Sequence, residues 1–465
     1  MSKKKKAIHD SLWDDYNESD YMRQSRLGLD VSLVRRISED KAEPNWMLEK
    51  RLESLKLYEQ MPLPTFGPDL SKLDLNNITY YAKAVKGQAE TWDDVPADIK
   101  NTFDRLGIPK AEQEVLAGVG AQYESTMVYH SLKEEYKKKG VIFEDLDVAL
   151  KKYPELVEPY FMKVMPASLH KFSALHGAVW SGGTFLYIPA GLKLKQPLQA
   201  YFRMNAKGMG QFEHTLIIVE KHAEAHYIEG CSAPRYGADS LHAGGVEIYV
   251  KEGARFRYSS VESWSKDAYN LNTKRAIVEK DAHMEWVGGN FGSNTTMLYP
   301  CSILVGEGAS ADHLGVAFAG DGQIQDTGAK VIHAAKNTSS TIVMKSISKG
   351  GGKSVYRGSV EIKPEADNAA VSVKCDALIL DDKSVSDTIP AMKIDNATAT
   401  IAHEASAGKI SAEDLFYLRS RGLKEDEAAA MIVNGFIEPI TKELPLEYSV
   451  EMNRMVELEM ENSVG

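Results

Sequence analysis

Cysteine is scarce in this chain, at 3 in 465 residues. That is too few for a disulfide framework, and free thiols in so long a sequence point to a reducing compartment. Long apolar runs are missing as well. Nowhere do about 18 apolar residues follow one another, which excludes a membrane-spanning helix. Basic charge is in deficit: Lys and Arg number 55 against 66 Asp and Glu, a net charge of −11. A chain of that sign lacks the positive field that phosphate backbones require, so nucleic acid is not expected as its main ligand. The N-terminus opens Met1-Ser2-Lys3-Lys4-Lys5-Lys6 but continues into His9, Asp10, Asp14 and Asp15 without an apolar stretch, which excludes a signal peptide. A soluble, cytoplasmic protein is expected. The rest is ordinary: 43% hydrophobic and 26% charged residues, the balance of a globular chain rather than a disordered one.

Residues 1–165 read as a mostly helical region. Apolar residues among charges from Ser38 to Leu57 suit an amphipathic helix. The prolines of Met61-Pro62-Leu63-Pro64-Thr65-Phe66-Gly67-Pro68 stop it. Further helices are expected at about 95–105, 110–139 and 143–152. From about 170 the texture shifts to Val, Ile, Thr and Gly in short alternating runs, which favour strands. Polar turns then recur, ending at Ala223, Ala254, Ala282, Ala309, Thr338, Ala366 and Ala397, with spacings of 31, 28, 27, 29, 28 and 31. A period near 29 predicts a parallel β-helix, a solenoid whose coils bury their apolar faces only by stacking. The β-helix core is expected over 166–408. A helical C-terminal region follows over 409–465, with helices at about 411–421, 424–435 and 444–461. The helical regions are expected to cap the two ends of the solenoid.

Several segments carry a resemblance to a known family. They include Glu43-Pro44-Asn45-Trp46-Met47, Trp180-Ser181-Gly182-Gly183, Met209-Gly210-Gln211-Phe212-Glu213 and Glu229-Gly230-Cys231-Ser232-Ala233-Pro234. Further along are Tyr356-Arg357-Gly358, Cys375-Asp376, Ser386-Asp387-Thr388-Ile389-Pro390, His403-Glu404-Ala405 and Met431-Ile432-Val433-Asn434-Gly435-Phe436. Through them the chain resembles the SufB/SufD family of the Suf iron–sulfur cluster assembly system, from about residue 25 to the end. The family's fold, a β-helix between helical parts, agrees with the period read from spacing. The resemblance implies a scaffold rather than an enzyme. An ABC-type ATPase, SufC, would dock on the C-terminal helices, and SufD or a second SufB would pair through the β-helix. A cysteine desulfurase system would deliver sulfur, and a reduced flavin has been proposed to join such complexes.

The resemblance also assigns candidate residues. Cys375 matches a proposed cluster ligand, and a thiolate is the natural soft ligand of cluster iron. His403 and Glu404 offer harder donors; adjacent strand residues point to opposite faces, so both are not expected on one metal, and the resemblance favours Glu404. Ala402 stands where many relatives carry glutamate. Cys231 matches a proposed sulfur acceptor, with Arg203, Asn205 and Lys274 along a path towards Cys375. Glu262 occupies that path where relatives have glutamine, and His214 stands where they usually have arginine. Cys301 reads as core. Gly350-Gly351-Gly352-Lys353-Ser354 ends like a phosphate loop but has Ile347 where the pattern needs glycine, so ATP is not expected to bind here. Cys375 with Glu404 favours a SufB-type subunit. The alternatives are a SufD-type partner without its own ligands and, remotely, a β-helix carbohydrate-active enzyme.

Overall fold

The computed structural model describes residues 23–83, 94–95, 116–204, 208–233, 239–444 and 446–461. It is mainly β, a parallel solenoid of about seven turns with a period near 29 residues and helices towards both termini. One wall is a ladder of Leu198–Arg203, Glu224–Ser232, Arg255–Trp264, His283–Gly292, Ser310–Ala319, Ser339–Ser348, Ala370–Ile379 and Thr400–Lys409. The opposite side starts as two shorter walls, which merge when Ile324–His333 pairs with both Thr295–Leu298 and Cys301–Leu304. Lys353–Ile362 and Val385–Ile394 continue the merged wall.

The corners explain the repeat. His222, Gly253, Asp281, Gly308, Asn337 and Asn368 all have positive φ. Each directly precedes a buried residue: Ala223, Ala254, Ala282, Ala309, Thr338 or Ala369. A left-handed residue turns the chain sharply, and Gly, Asn and Asp accept that conformation at least cost. Corner amides then bond the next coil: Gly253 N–H donates to Lys280 O at 2.8 Å and Asn337 N–H to Asp367 O at 2.8 Å. In the last two turns the strands resume after Ala369 and Ala399, slightly later than the expected Ala366 and Ala397; the Lys363–Asn368 turn accounts for the first of these shifts.

The N-terminal region departs from the expected helices. Ser38–Leu57 is split into α1 (Val31–Lys41) and α2 (Asn45–Gln60), because Ala42 takes a left-handed φ of 49° and Pro44 lacks an amide proton. The expected helix over 110–139 is instead a hairpin, Gly118–Tyr123 with Thr126–Leu132, whose first strand pairs in parallel with Leu198–Arg203. Its first strand is buried on both faces, and such a run reads in sequence like a buried helix. Over 143–152 the chain forms strand Ile142–Asp145 and then α3 (Leu146–Lys152). The expected helix at 95–105 lies almost wholly outside the described residues. Helix α4 (Lys171–Val179) packs against α2.

The tail forms α5 (Ala412–Ser420), α6 (Glu425–Thr441) and α7 (Leu446–Glu461). Helix α6 runs past the expected end at 435 and carries Pro439 inside it. Rather than capping the solenoid end, α6 and α7 lie against its side. Val433, Ile437, Met452 and Val456 join Ile228, Val261, Val316 and Ile347, which point out of the first wall. The last coil is consequently open: Val385, Ile389, Met392 and Ile394 are exposed. No helix among the described residues is long and apolar enough to cross a membrane.

Candidate functional site

Strand register arranges the interior in columns. Side chains alternate across each strand, so Glu229, Ser260, Gly288, Gly315, Met344 and Cys375, paired in register from coil to coil, face the same interior. The neighbouring column runs Tyr227, Tyr258, Trp286, His313, Ile342, Val373 and His403. Its rings follow one another in contact, with Tyr227–Tyr258, Tyr258–Trp286 and Trp286–His313 centroids 5.4, 5.2 and 6.2 Å apart, the first two pairs tilted and the last stacked. The two glycines leave space, and a cavity of about 50 Å³ lies along the column, lined by Lys274, Ser260, Gly288, Gly315, Met344 and Cys375 among others.

At the late end, Cys375 is 4% exposed under a thin cover, because the next strand is the last of its ladder. Its Sγ lies 3.9 Å from His403 Nε2 and 3.7 Å from the Glu404 carbonyl oxygen. Burial raises the Cys375 thiol above its usual pKa; a hydrogen bond with Thr388 acts the other way and Asp376 adds to the rise. Tyr356, also on the cavity, has a buried hydroxyl with no hydrogen-bond partner among the described residues. Glu404 pairs in register with Lys374 on the outer face and is exposed. The strand thus brings His403 to Cys375 and turns the Glu404 carboxylate away. Ala402 is exposed on that same outer face.

At the early end the interior is polar and sealed. Lys274 Nζ donates to Glu262 Oε1 at 2.7 Å and Glu229 Oε1 at 3.1 Å. Asn270 Nδ2 donates to Glu262 Oε2 at 2.6 Å, and its Oδ1 lies 2.9 Å from His242 Nδ1. His242 Nε2 in turn lies 2.5 Å from Glu213 Oε1. Burial acts to lower the Lys274 and His242 pKa values, and the carboxylates of Glu262 and Glu213 respectively outweigh it, so both cations are favoured. Cys231, 1% exposed, is held well above the ordinary thiol range by burial and then by Glu229, Glu262 and Glu213, with Lys274 opposing. Glu262 is therefore the paired counter-charge of Lys274.

The other expected path residues divide. Arg203 is fully buried and its Nη1 donates to Ser232 Oγ at 2.8 Å, but its strand neighbour Phe202 is the residue in register with Cys231, so Arg203 lies on the opposite face. Asn205 lies outside the described residues. Cys301 is buried beside Arg275, across the strand from Lys274. His214 has a structural setting: His176 Nε2 is 2.9 Å from its Nδ1, and Glu247 Oε2 is 3.2 Å from its Nε2. Glu247 also accepts the backbone N–H groups of Val164 and Met165 at 2.7 and 2.9 Å, tying the helical region to the second wall. Sequence reading missed Glu213 and His242 as functional candidates. Glu213 stood inside a quoted family segment, but no spacing pattern marked His242.

Residues 202–436 match the family described as SUF system FeS cluster assembly, SufBD core domain, and residues 41–200 match the SufBD protein N-terminal region. An iron–sulfur cluster assembly SufBD family protein of Staphylococcus aureus strain MRSA252 is 53% identical over 465 residues, covering 100% of both chains. A protein of the same description from Staphylococcus saprophyticus is likewise 53% identical, with 100% of both chains covered. With two family matches spanning nearly the whole chain and full-length relatives at this identity, the chain belongs to the SufBD family of iron–sulfur cluster assembly proteins.

Proposed function

We propose that this chain is the SufB-type scaffold of a SufBCD-type complex, holding a nascent iron–sulfur cluster on Cys375 and passing it on. The observation that carries this reading is Cys375 Sγ at 3.9 Å from His403 Nε2, in the last two coils, where the solenoid is open. Thiolate and imidazole are both competent iron ligands. Glu404 faces outward on the same terminal strand, and its carboxylate would join the site only when a docking partner rearranges that strand. At the open end the exposed Met392 and Ile394, in register with the interior residues Val360 and Ile362, offer SufD or a second copy an apolar strip. Helix α5 has no buried residue, and Phe416 and Tyr417 are exposed at 76% and 56%, a surface suited to the SufC-type ATPase. ATP-driven closure of that partner would shift the tail and open the terminal coils. Sulfur from a cysteine desulfurase system would be accepted at Cys231 once partner docking opens the sealed early end, and would then move past Lys274 through the glycine-lined cavity. The chain itself acts as a cytoplasmic scaffold, not an enzyme, and a reduced flavin is a candidate electron source.

Anaerobic reconstitution with iron and sulfide tests this, comparing wild type with Cys375→Ala by visible absorption and iron counting. Cluster absorption that vanishes with Cys375 is the expected result. Equal absorption in both proteins would remove Cys375 as ligand. For the sulfur route, Cys231→Ser is expected to stop sulfur transfer from the desulfurase, and unchanged transfer would remove Cys231 from it.

A further inference from the structure

We propose that Glu213, Cys231 and His242 form a second, enclosed site for one divalent first-row transition metal ion, separate from Cys375. The thiol sulfur, one imidazole nitrogen and one carboxylate oxygen all lie within 4.8 Å of one another, and all three residues are buried. They come from three different parts of the coil: Cys231 from the first wall, His242 from the short strand Ser240–His242, and Glu213 from the corner before His214. Convergence of three backbone segments on one point requires the fold, and no local sequence repeat produces it.

Two further observations point to a ligand. Glu213 is 3% exposed and its Oε2 has no hydrogen-bond partner among the described residues; leaving a buried carboxylate oxygen unsatisfied is costly unless something else occupies it. The His242 ring is also fixed as a ligating imidazole is fixed. Its Nδ1 is hydrogen-bonded to Asn270 Oδ1, and Asn270 is oriented by Glu262; the Trp264 ring packs tilted against the imidazole at 4.2 Å between centroids. That second layer aims Nε2 at Glu213. The mixed S, N and O donors suit Fe2+, Co2+ or Zn2+ rather than Mg2+ or Ca2+. Binding releases the Cys231 thiol proton and the His242 Nε2 proton. One dication thus replaces two protons, and the charge sealed between Glu229, Glu262 and Lys274 is unchanged. The site stands on geometry alone; its natural occupant being ferrous iron rests on the assembly role proposed above.

The test is anaerobic titration of the full-length, untagged chain with Co2+. One equivalent is expected to give a thiolate-to-cobalt charge-transfer band with release of two protons, and Fe2+ is expected to compete for it. Cys231→Ser should abolish the band, and Glu213→Gln and His242→Gln, near-isosteric replacements suited to retaining the fold, should weaken binding by more than ~10-fold. Cys375→Ala should leave the band intact. A band that survives Cys231→Ser, or that disappears with Cys375→Ala, overturns the proposal. Absence of any band in folded wild type, checked by circular dichroism, overturns it too. A cobalt signature retained in a chain that builds no cluster supports the site and counts against the assembly role alone.

Discussion

Cys231 and Cys375 face one interior from opposite ends, yet their surroundings share almost nothing. Around Cys231 the coil closes on Glu213, Glu229, Glu262, His242 and Lys274, a sealed set of paired charges in which Glu213 Oε2 is left without a hydrogen-bond partner among the described residues. Around Cys375 the neighbours are Met344, Val373, Tyr356, Thr388 and His403, and beyond them the solenoid simply stops. The early coils are covered by helices and a hairpin on one side and by the next coil on the other. The last coil has no next coil, so strands built for pairing and burial remain exposed. The difference teaches that a repeat gives every coil the same backbone but leaves chemistry to be decided by position along the stack.

The sharpest way to break this comparison is at the open end. In the isolated chain, Cys375→Ala is expected to eliminate the cluster-bound part of the iron retained after reconstitution, and His403→Ala to remove more than half of that part. Glu404→Ala is expected to change nothing until a partner is present, since its side chain faces outward. Iron counting decides between them, and a loss with Glu404→Ala equal to that with His403→Ala would sink the facing assignment.

At the sealed end the expected effect is on stability. Lys274→Ala strands Glu229 and Glu262 in the interior and should cost ~3–5 kcal/mol in denaturant unfolding. Adding Glu262→Gln should recover part of it.

Acid should loosen the interior by a smaller amount. Burial lowers His313 to about 3 and His333 to about 4. A histidine with depressed folded pKa contributes fully above its unfolded value near 6.5, and that contribution is lost as pH falls towards 4. Near pH 5 the loss should be about 2 kcal/mol for each, and His333→Gln should flatten the fall of the thermal midpoint between pH 7 and pH 5.

Met392→Glu, on the exposed terminal strand, should leave the melting temperature unchanged while weakening association with a second subunit by ~10-fold or about 1.4 kcal/mol, read by sedimentation. Least of all, Lys353→Ala removes an ion pair to Asp387 whose partners are each 43% exposed and should cost under ~1 kcal/mol.

Much of the solenoid was legible because its corners are local events. A residue tolerant of positive φ followed by a small buried one recurs at Gly253-Ala254, Asp281-Ala282 and Gly308-Ala309, and such pairs are visible in any linear reading. The hairpin over 118–132 was not legible. Both faces of its first strand are covered, which erases the alternation that distinguishes a strand from a buried helix. Helix α6 outruns the expected end at 435 even though Pro439, a residue that disfavours helix interiors, lies inside it. Packing of Ile437 and Ile440 against the first wall carries it to Thr441.

By itself the sequence determined the period, the strand alternation, the charge balance and the family resemblance, because each depends on residues close together or in fixed order along the chain. Only the tertiary structure decided that His403 rather than the Glu404 side chain meets Cys375, that Lys274 is paired with Glu229 and Glu262, and that Glu213, Cys231 and His242 converge. Those are contacts between coils and walls. They depend on register and on which face a side chain takes, and a shift of one residue in strand pairing would reverse every one of them.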